Sequence, residues 1–210
     1  MFEGIFLKII YEDTIRGKKL EPLFGILLED ENKMAERNQS RMVEGKMIRP
    51  EQTQILDFHT MAVFQYLIGN TDWSVQYYQN IKLIATGPDD IPSTVPYDFD
   101  HAGIVDAPYA FPEPALLLSS TRERRYRGYC LTDLSSIDKT FSLFNDLKNQ
   151  IYNIYTTSPL LEPSYKKSTI KFLDEFYKTI NDPKAIKDAF GYPCRKDGTS
   201  NVVIKGLKKK

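Results

Sequence analysis

The stretch "FQYLIGNTDWSVQYYQNIKLI", residues 64–84, determines how the rest of the sequence is interpreted. An apolar helical run ends there in Gly-Asn, a pair that supplies the left-handed backbone needed to stop a helix. Asp72 follows in the predicted loop, and Asn80 begins a short apolar strand predicted over residues 80–84. The stretch therefore predicts a polar loop between a buried helix and a strand.

The sequences on either side place a second acidic loop next to the first. Upstream, residues 50–68 predict one long helix, because a proline stands in the first turn and a wide apolar stripe follows. Downstream, "VPYDF", residues 95–99, predicts a strand joined to the preceding one by the turn-rich segment "ATGPDDIPST". Asp98 leaves this hairpin, so the topology places it beside the loop that carries Asp72.

The N-terminal quarter of the chain is rich in strand-forming residues. Two runs predict a β-hairpin over residues 5–11 and 23–28, separated by a polar segment that contains a glycine and a proline. The segment "ENKMAERN", residues 31–38, predicts a short polar helix.

The C-terminal half of the chain is mainly helical in pattern. A capping box formed by Ser120 and Glu123 predicts a helix over "RERRYRGYC", and periodic apolar residues predict one helix over 134–155 and another over 163–182. Asp182 and the proline after it favour the start of a short last helix. The sequence thus predicts an α+β chain with a small β-rich head on a helical body.

Composition excludes several classes of protein. The 210 residues are 41% hydrophobic, enough for a packed core, and the formal net charge is zero, which argues against a nucleic-acid partner. No apolar run approaches the roughly 20 residues of a membrane span, and the first ten residues lack the pattern of a signal peptide. The compartment stays undetermined.

The chain has two cysteines and two histidines, and their spacing does not indicate a zinc site or a Cys/His metal cluster. Cys130 and Cys194 are predicted to be a reduced, structural pair, with a single disulfide as the alternative.

The segments "FQYLIGNTDWS", "NIKLI" and "VPYDFDHAGIVDAPYA" together resemble a group of bacterial proteins related to the spore-coat kinase CotH, and more distantly the HipA-type kinases. The matching motifs cover residues 64–110, and a looser match of helix order extends to about residue 190. The resemblance implies a protein-kinase-like fold. Residues 1–30 would form a partial β-hairpin N-lobe and hinge, residues 31–190 a mostly helical C-lobe, and residues 191–210 a C-terminal tail.

The same resemblance implies a site for Mg²⁺ and ATP. Asp72 corresponds to the catalytic aspartate, Asn80 and Asp98 to metal ligands, and Asp100 to an auxiliary ligand or orienting group. Phosphoryl transfer requires these residue types, because Mg²⁺ prefers oxygen ligands and a separate carboxylate must accept the proton of the incoming hydroxyl. The alternative is that these are ordinary turn carboxylates that bond loop amides.

The sequence departs from the kinase pattern in two ways. Asp72 and Asn80 are eight residues apart, whereas protein kinases place them about five apart, so residues 73–79 are expected to bulge outward. There is also no glycine-rich phosphate loop and no convincing strand lysine paired with a helix glutamate. The rest of the nucleotide-binding lobe is therefore expected from another polypeptide or from a longer gene product.

Weaker candidates surround these residues. Arg122, Arg125 and His101 are candidates for contact with phosphate or substrate, since the arginine fork suits phosphate. Pairing of the arginines with nearby acids is an equally good interpretation.

Three functions remain open from the sequence. The first is a kinase-like phosphotransferase that takes a magnesium nucleotide and acts on a protein or other hydroxyl substrate. The second is a degenerate kinase fold, a pseudokinase that serves as a binding or scaffold module. The third is a fragment whose strand edge "FLKIIYE", residues 6–12, mediates self-association or strand addition.

Overall fold

The structure is a computed structural model that describes residues 2–44, 47–131 and 133–194. It confirms the predicted α+β class, with small antiparallel sheets and helices in the part of the chain it describes. The strands are β1 (Gly4–Ile9), β2 (Glu12–Asp13), β3 (Lys18–Lys19), β4 (Leu23–Leu28), β5 (Arg41–Met42), β6 (Ile81–Ala85) and β7 (Ser93–Pro96). The helices are α1 (Glu31–Arg37), α2 (Ile55–Ile68), α3 (Asp138–Asp146), α4 (Lys148–Thr156), α5 (Pro163–Ile180) and α6 (Pro183–Phe190).

The predicted N-terminal hairpin is present and forms what we call the N-terminal ribbon, residues 4–28. β1 pairs antiparallel with β4, so that Ile5 lies opposite Leu27, and β2 and β3 extend the hairpin toward its turn. Both faces of the ribbon carry large apolar side chains, and most of them are exposed. The ribbon therefore contributes little to the buried core.

A three-stranded sheet of β5, β6 and β7 lies between α1 and the helical body. On one face, Ile84 and Val95 pack against Met34 and Ala35 of α1, both of which are buried. Ile81, also fully buried, belongs to the main core. The helix predicted over 31–38 is thus present but has a buried side as well as a polar one, and Asp30 caps its first turn.

The main core is built by α2, α5 and α6 with the turns between them. α5 presents an apolar side at helical spacing, and the confirmed last helix begins where the Asp182 carboxylate accepts the backbone N–H groups of residues 184 and 185. Burial of each large apolar side chain contributes about 1.5–3 kcal/mol. The most deeply buried aromatic residues include Phe58, Tyr126, Phe172, Phe176 and Phe190.

Two predicted helices are interrupted. The helix expected over 50–68 begins as a 3₁₀ turn at Pro50–Gln52, and α2 proper starts only at Ile55. The helix expected over 134–155 is a 3₁₀ turn followed by α3 and α4, which meet at Leu147. Apolar periodicity shows which side of a helix is buried, but it does not register such short breaks.

The prediction of a helix over "RERRYRGYC", residues 122–130, is wrong. The Glu123 carboxylate accepts the backbone N–H and the hydroxyl of Ser119, both at 3.0 Å, instead of the amide that a capping box requires. The segment then runs without helical structure, because Arg124 and Arg127 reach backbone carbonyl groups of distant segments.

The prediction of reduced cysteines is also wrong. Cys130 and Cys194 form a disulfide with an S–S distance of 2.07 Å. Packing of Phe190 in the main core brings the end of α6 to the segment that carries Cys130, a contact that sequence spacing does not reveal. The predicted tail, residues 191–210, starts with a short turn that holds Cys194, and its part from 195 onward lies outside the described residues.

None of the helices that the structure describes is both long and apolar enough to cross a membrane.

Candidate functional site

The candidate site is built on the C-terminal end of α2. Gly69 ends the helix with a φ of 68°, as the sequence predicts. The backbone N–H groups of Gly103 and Ile104 donate to the carbonyls of Gly69 and Ile68, at 3.1 and 2.9 Å. A Cβ atom on Gly69 would lie 2.8 Å from the ring of Phe172, so only glycine suits this position. These contacts hold the segment after the second acidic loop against the end of the helix.

Arg124 provides a second link to the same helix end. Its guanidinium donates to the carbonyls of Tyr66 and Leu67 in α2 and to that of Phe172 in α5. Burial lowers the pKa of Arg124 to about 10, and the side chain is almost completely covered. A cation here satisfies carbonyl groups that a helix end leaves unpaired and complements its negative dipole.

The loop that carries Asp72 is closed by a small hairpin of its own. Ser74 and Gln79 exchange two backbone hydrogen bonds, of 2.9 and 3.0 Å. Trp73 is buried and packs against Phe58, with ring centroids 6.4 Å apart. The expected bulge thus folds back on itself, which brings Asp72 and Asn80 together despite the eight residues between them.

The carboxylate of Asp72 is held by two side-chain amides. Gln79 Nε2 donates to one oxygen, and Asn80 Nδ2 donates to the other at 3.0 Å and to the Asp72 carbonyl at 2.8 Å. The Asp72 backbone N–H donates to Asn70 Oδ1 at 2.9 Å. Because the Asn80 nitrogen is committed to Asp72, its oxygen is the atom that can face a cation or another donor.

Arg127 supports this loop from the inside. Its guanidinium donates to the carbonyls of Thr71 and Trp73, which flank Asp72. Burial lowers the pKa of Arg127 to about 10, and the carboxylates of Asp72 and Glu113 oppose that shift. The sequence shows four arginines here but gives no sign of which one holds the loop, because the contact spans more than 50 residues.

The second acidic loop begins directly after β7. Asp98 adopts a left-handed conformation with a φ of 56°, and the Phe99 ring turns inward onto Phe64, with centroids 5.5 Å apart. The pKa of Asp98 is raised. Partial burial is the largest cause, the like charge of Asp100 comes next, and the charge of Asp72 makes a smaller contribution. The structure therefore brings Asp72, Asp98 and Asp100 into one electrostatic environment.

Two aromatic side chains border the acid pair. His101 Nε2 lies 4.0 Å from Asp100 Oδ2, and the ring of Tyr109 lies 6.0 Å from that of His101. Partial burial and the Asp100 carboxylate raise the pKa of Tyr109. Tyr109 thus belongs to the same cluster, although no pattern in the sequence selects it.

The available donors are oxygens, which suit a hard divalent cation such as Mg²⁺. Asp98 and Asp100 repel each other, and a cation bound between them would reverse the rise in the pKa of Asp98 to which this repulsion contributes. Among the described residues, no group of three or more His, Cys, Asp or Glu side chains is arranged to hold a metal ion. The set expected from the sequence consists of the amide of Asn80 and the two carboxylates of Asp98 and Asp100.

A cleft of about 610 Å³ lies between the N-terminal ribbon and the acid pair. Ile26 and Leu28 line it from the ribbon, Phe2 and Val105 add apolar wall, and Asp98 lies at its edge. Its volume is in the range of small-molecule sites.

The other arginines predicted for phosphate contact are placed differently. Arg122 donates to the Gly103 carbonyl at 3.2 Å, lies 3.6 Å from the Asp106 carboxylate and stacks over Phe172. Arg125 is half-buried near Glu123, whose pKa is lowered by hydrogen bonds from Ser119 and to a smaller extent by the Arg125 charge. A role for either in phosphate contact stays a prediction.

Comparisons with protein-family models, with curated proteins and with solved structures find no match to this chain. What the site can do therefore rests on its own geometry.

Proposed function

We propose that this chain is a kinase-like phosphotransferase that uses a magnesium nucleotide, of the kind its resemblance to CotH-related proteins implies. The observation that carries the proposal is the direct contact between Asp72 and Asn80, next to the acid pair of Asp98 and Asp100 at the edge of a cleft. A phosphotransferase of this kind requires a positioned base and a set of oxygen ligands in adjacent loops.

Each side chain then has a defined role. Asp72 orients the incoming hydroxyl and accepts its proton. Gln79 and Asn80 fix the orientation of that carboxylate, and Arg127 fixes the backbone on both sides of it. Asn80 Oδ1, Asp98 and Asp100 are the groups that would hold the cation. When bound, Mg²⁺ neutralises the charge of the nucleotide phosphates.

The cleft fits the nucleotide in its chemistry. Its apolar walls, formed by Phe2, Ile26, Leu28 and Val105, suit the flat face of a base, and Asp98 and Asp100 in its lining would hold the cation that accompanies the phosphates. The N-terminal ribbon forms one wall of the cleft. Both long strands of the ribbon, β1 and β4, are edge strands among the described residues, so further strands from another polypeptide or another part of a longer chain could pair with them.

One observation favours a second candidate, a pseudokinase that binds ligands without turnover. Both oxygens of Asp72 already accept amide hydrogen bonds, from Gln79 and Asn80. These contacts occupy an acceptor site on each oxygen and hold the carboxylate in one orientation, which leaves fewer lone pairs for an incoming hydroxyl. In this alternative, Asp72 organises the loop and takes no part in chemistry.

Calorimetric titration with ATP, with and without Mg²⁺, tests both candidates, together with transfer of radiolabelled phosphate to a mixture of protein acceptors. For a phosphotransferase, we expect magnesium-dependent binding that Asp98→Asn abolishes, and turnover that Asp72→Asn reduces about a hundredfold or more without loss of binding. Asp146→Asn, at an exposed position on α3, is the matched control and should leave both unchanged. Binding without turnover would support the pseudokinase, and the absence of magnesium-dependent binding would overturn both.

A further inference from the structure

The charges of this chain are divided unevenly along its length. Six of the 28 basic residues but only one of the 28 acidic residues lie in residues 195–210, which we call the basic tail. The basic tail therefore has a formal charge of +5 and the rest of the chain a formal charge of −5, although the whole chain is neutral. A segment of this kind is attracted to an acidic surface of the same molecule.

The basic tail is also apolar in part. Residues 195–201 contain no large apolar side chain, whereas the stretch "VVIKGLKKK", residues 202–210, combines four aliphatic residues with four lysines. A stretch with this composition fits a surface that is apolar and negatively charged at the same time.

The cleft between the N-terminal ribbon and the acid pair is such a surface. Asp98 and Asp100 belong to its lining, and no lysine or arginine is among the described residues that line it. Both carboxylates are accessible, since Asp98 is exposed and the side chain of Asp100 is 42% exposed. In the apolar walls, Ile26 is 66% exposed. The cleft thus offers exposed apolar surface beside two carboxylates.

The start of the basic tail lies within reach of the cleft. Cys194, the residue before the tail, is bonded to Cys130, with 4.7 Å between their Cα atoms. Cys130 comes three positions after Arg127, whose guanidinium contacts the backbone on both sides of Asp72. The tail therefore starts at most on the order of 30 Å from Asp72, whereas its residues span up to about 50 Å when extended. This length is sufficient to place the lysines in the second acidic loop.

We propose that the basic tail docks into the cleft of its own molecule, with its lysines paired to Asp98 and Asp100 and its aliphatic residues against the apolar walls. Covalent attachment favours the tail over a free peptide, because it raises the effective concentration. The docking depends on the cleft and its charges. Its consequence rests on the proposed function: a docked tail occupies the place of the cation and the nucleotide, so it inhibits the site.

Carbodiimide cross-linking of the full chain tests the docking, because this reagent joins a carboxylate to an amine where the two are in contact. Mass spectrometry should find tail lysines joined to the peptide that carries Asp98 and Asp100. The yield should fall severalfold between about 20 mM and 500 mM salt, as screening increases. In an equal mixture of ¹⁴N- and ¹⁵N-labelled protein, both halves of each linked pair should carry the same isotope.

A variant that keeps every lysine tests the apolar part of the contact. Val203→Ser combined with Ile204→Ser should lower the cross-linking yield about threefold or more, since the tail then gains less from the walls of the cleft. Asp146→Asn, at the surface of α3, should leave the yield unchanged.

Calorimetric titration with Mg²⁺ at low salt tests the inhibition with two sets of substitutions that remove equal charge. One set comprises K205Q, K208Q, K209Q and K210Q in the basic tail. The control set comprises K167Q, K171Q, K184Q and K187Q at exposed positions of α5 and α6. We expect the tail set to bind Mg²⁺ about threefold more tightly than the unaltered chain, and the control set to change the affinity much less.

The outcomes separate this proposal from the proposed function. Tail links to Asp98 or Asp100 in a chain that binds no Mg²⁺ would support the docking and contradict the phosphotransferase. Links spread over acidic residues of the whole surface, or found only between two copies, would overturn the docking. An equal gain in Mg²⁺ affinity from both sets of substitutions would overturn the inhibition.

Discussion

The N-terminal ribbon and the helical body are both rich in large apolar side chains, but they place them in opposite environments. Phe24 of the ribbon is 65% exposed, whereas Phe176 of α5 is fully buried. Phe24 contacts the neighbouring ring of Phe6, whereas Phe176 packs against Tyr66, Phe144 and Tyr177. The difference arises because the ribbon has two strands and no layer that covers both of its faces, while each helix of the body has neighbours.

In the part of the chain that the structure describes, an ion pair and a ring contact are among the links between the two regions. Arg37 of α1 forms an ion pair of 2.8 Å with Glu29 at the end of the ribbon, and the Phe2 ring lies 5.7 Å from that of Tyr97. The comparison indicates that the free energy of unfolding resides in the body and that the ribbon opens separately. The predictions below test that division.

The largest expected effect comes from a matched pair of aromatic substitutions. Phe176→Ala should lower the free energy of unfolding by about 3–5 kcal/mol, because it leaves a cavity in the main core. Phe24→Ala should change it by less than about 0.5 kcal/mol, since the side chain is already exposed. Urea denaturation followed by circular dichroism measures both.

Amide hydrogen exchange on the same two variants sharpens the result. Backbone amides of β1 and β4 should exchange faster than those of α2 and α5 in the unaltered chain. Equal protection of the ribbon and the body, or equal costs of the two substitutions, would contradict the proposed division.

A smaller effect is expected at the link between the body and the candidate site. Arg127→Met should cost about 2 kcal/mol, because the carbonyls of Thr71 and Trp73 lose their donor inside the protein. Arg127→Lys keeps a donor and should cost less. The fluorescence of Trp73, the single tryptophan, reports the local change directly. If both variants unfold like the unaltered chain, Arg127 does not support the loop.

The smallest effect concerns pH and the acid pair. The pKa of Asp98 is raised in the folded chain, so its ionised form is unfavourable at neutral pH, and this cost disappears as the pH falls below the raised pKa. Asp98→Asn should therefore stabilise the chain at neutral pH by at most about 0.5 kcal/mol, since the group is largely exposed. The gain should vanish in acid. Thermal unfolding across the pH range measures it, and a gain that grew on acidification would contradict the assignment.

Local patterns in the sequence predicted the elements that local chemistry controls. The hairpin, the stop at Gly69 and the cap at Asp182 all follow from residues close together in the chain. The disulfide and the extended course of the Arg124–Arg127 segment did not follow, because both depend on contacts between residues more than 45 positions apart.

The candidate site shows the same limit. The resemblance selected Asp72, Asn80, Asp98 and Asp100, and the structure brings them into adjacent loops. The sequence did not predict a role for Gln79, because that role depends on the backbone pairing with Ser74, which turns the Gln79 side chain toward Asp72.

The bond between Cys130 and Cys194 has a practical consequence for anyone who prepares this protein. It joins the end of α6 to a residue three positions after Arg127, the side chain that holds the Asp72 loop. A bacterial cytosol rich in glutathione keeps such thiols reduced, so protein purified from it would lack this disulfide bond. Expression in the periplasm, or refolding with a thiol–disulfide buffer, yields the form in which the segment that carries Arg127 is covalently joined to the end of α6.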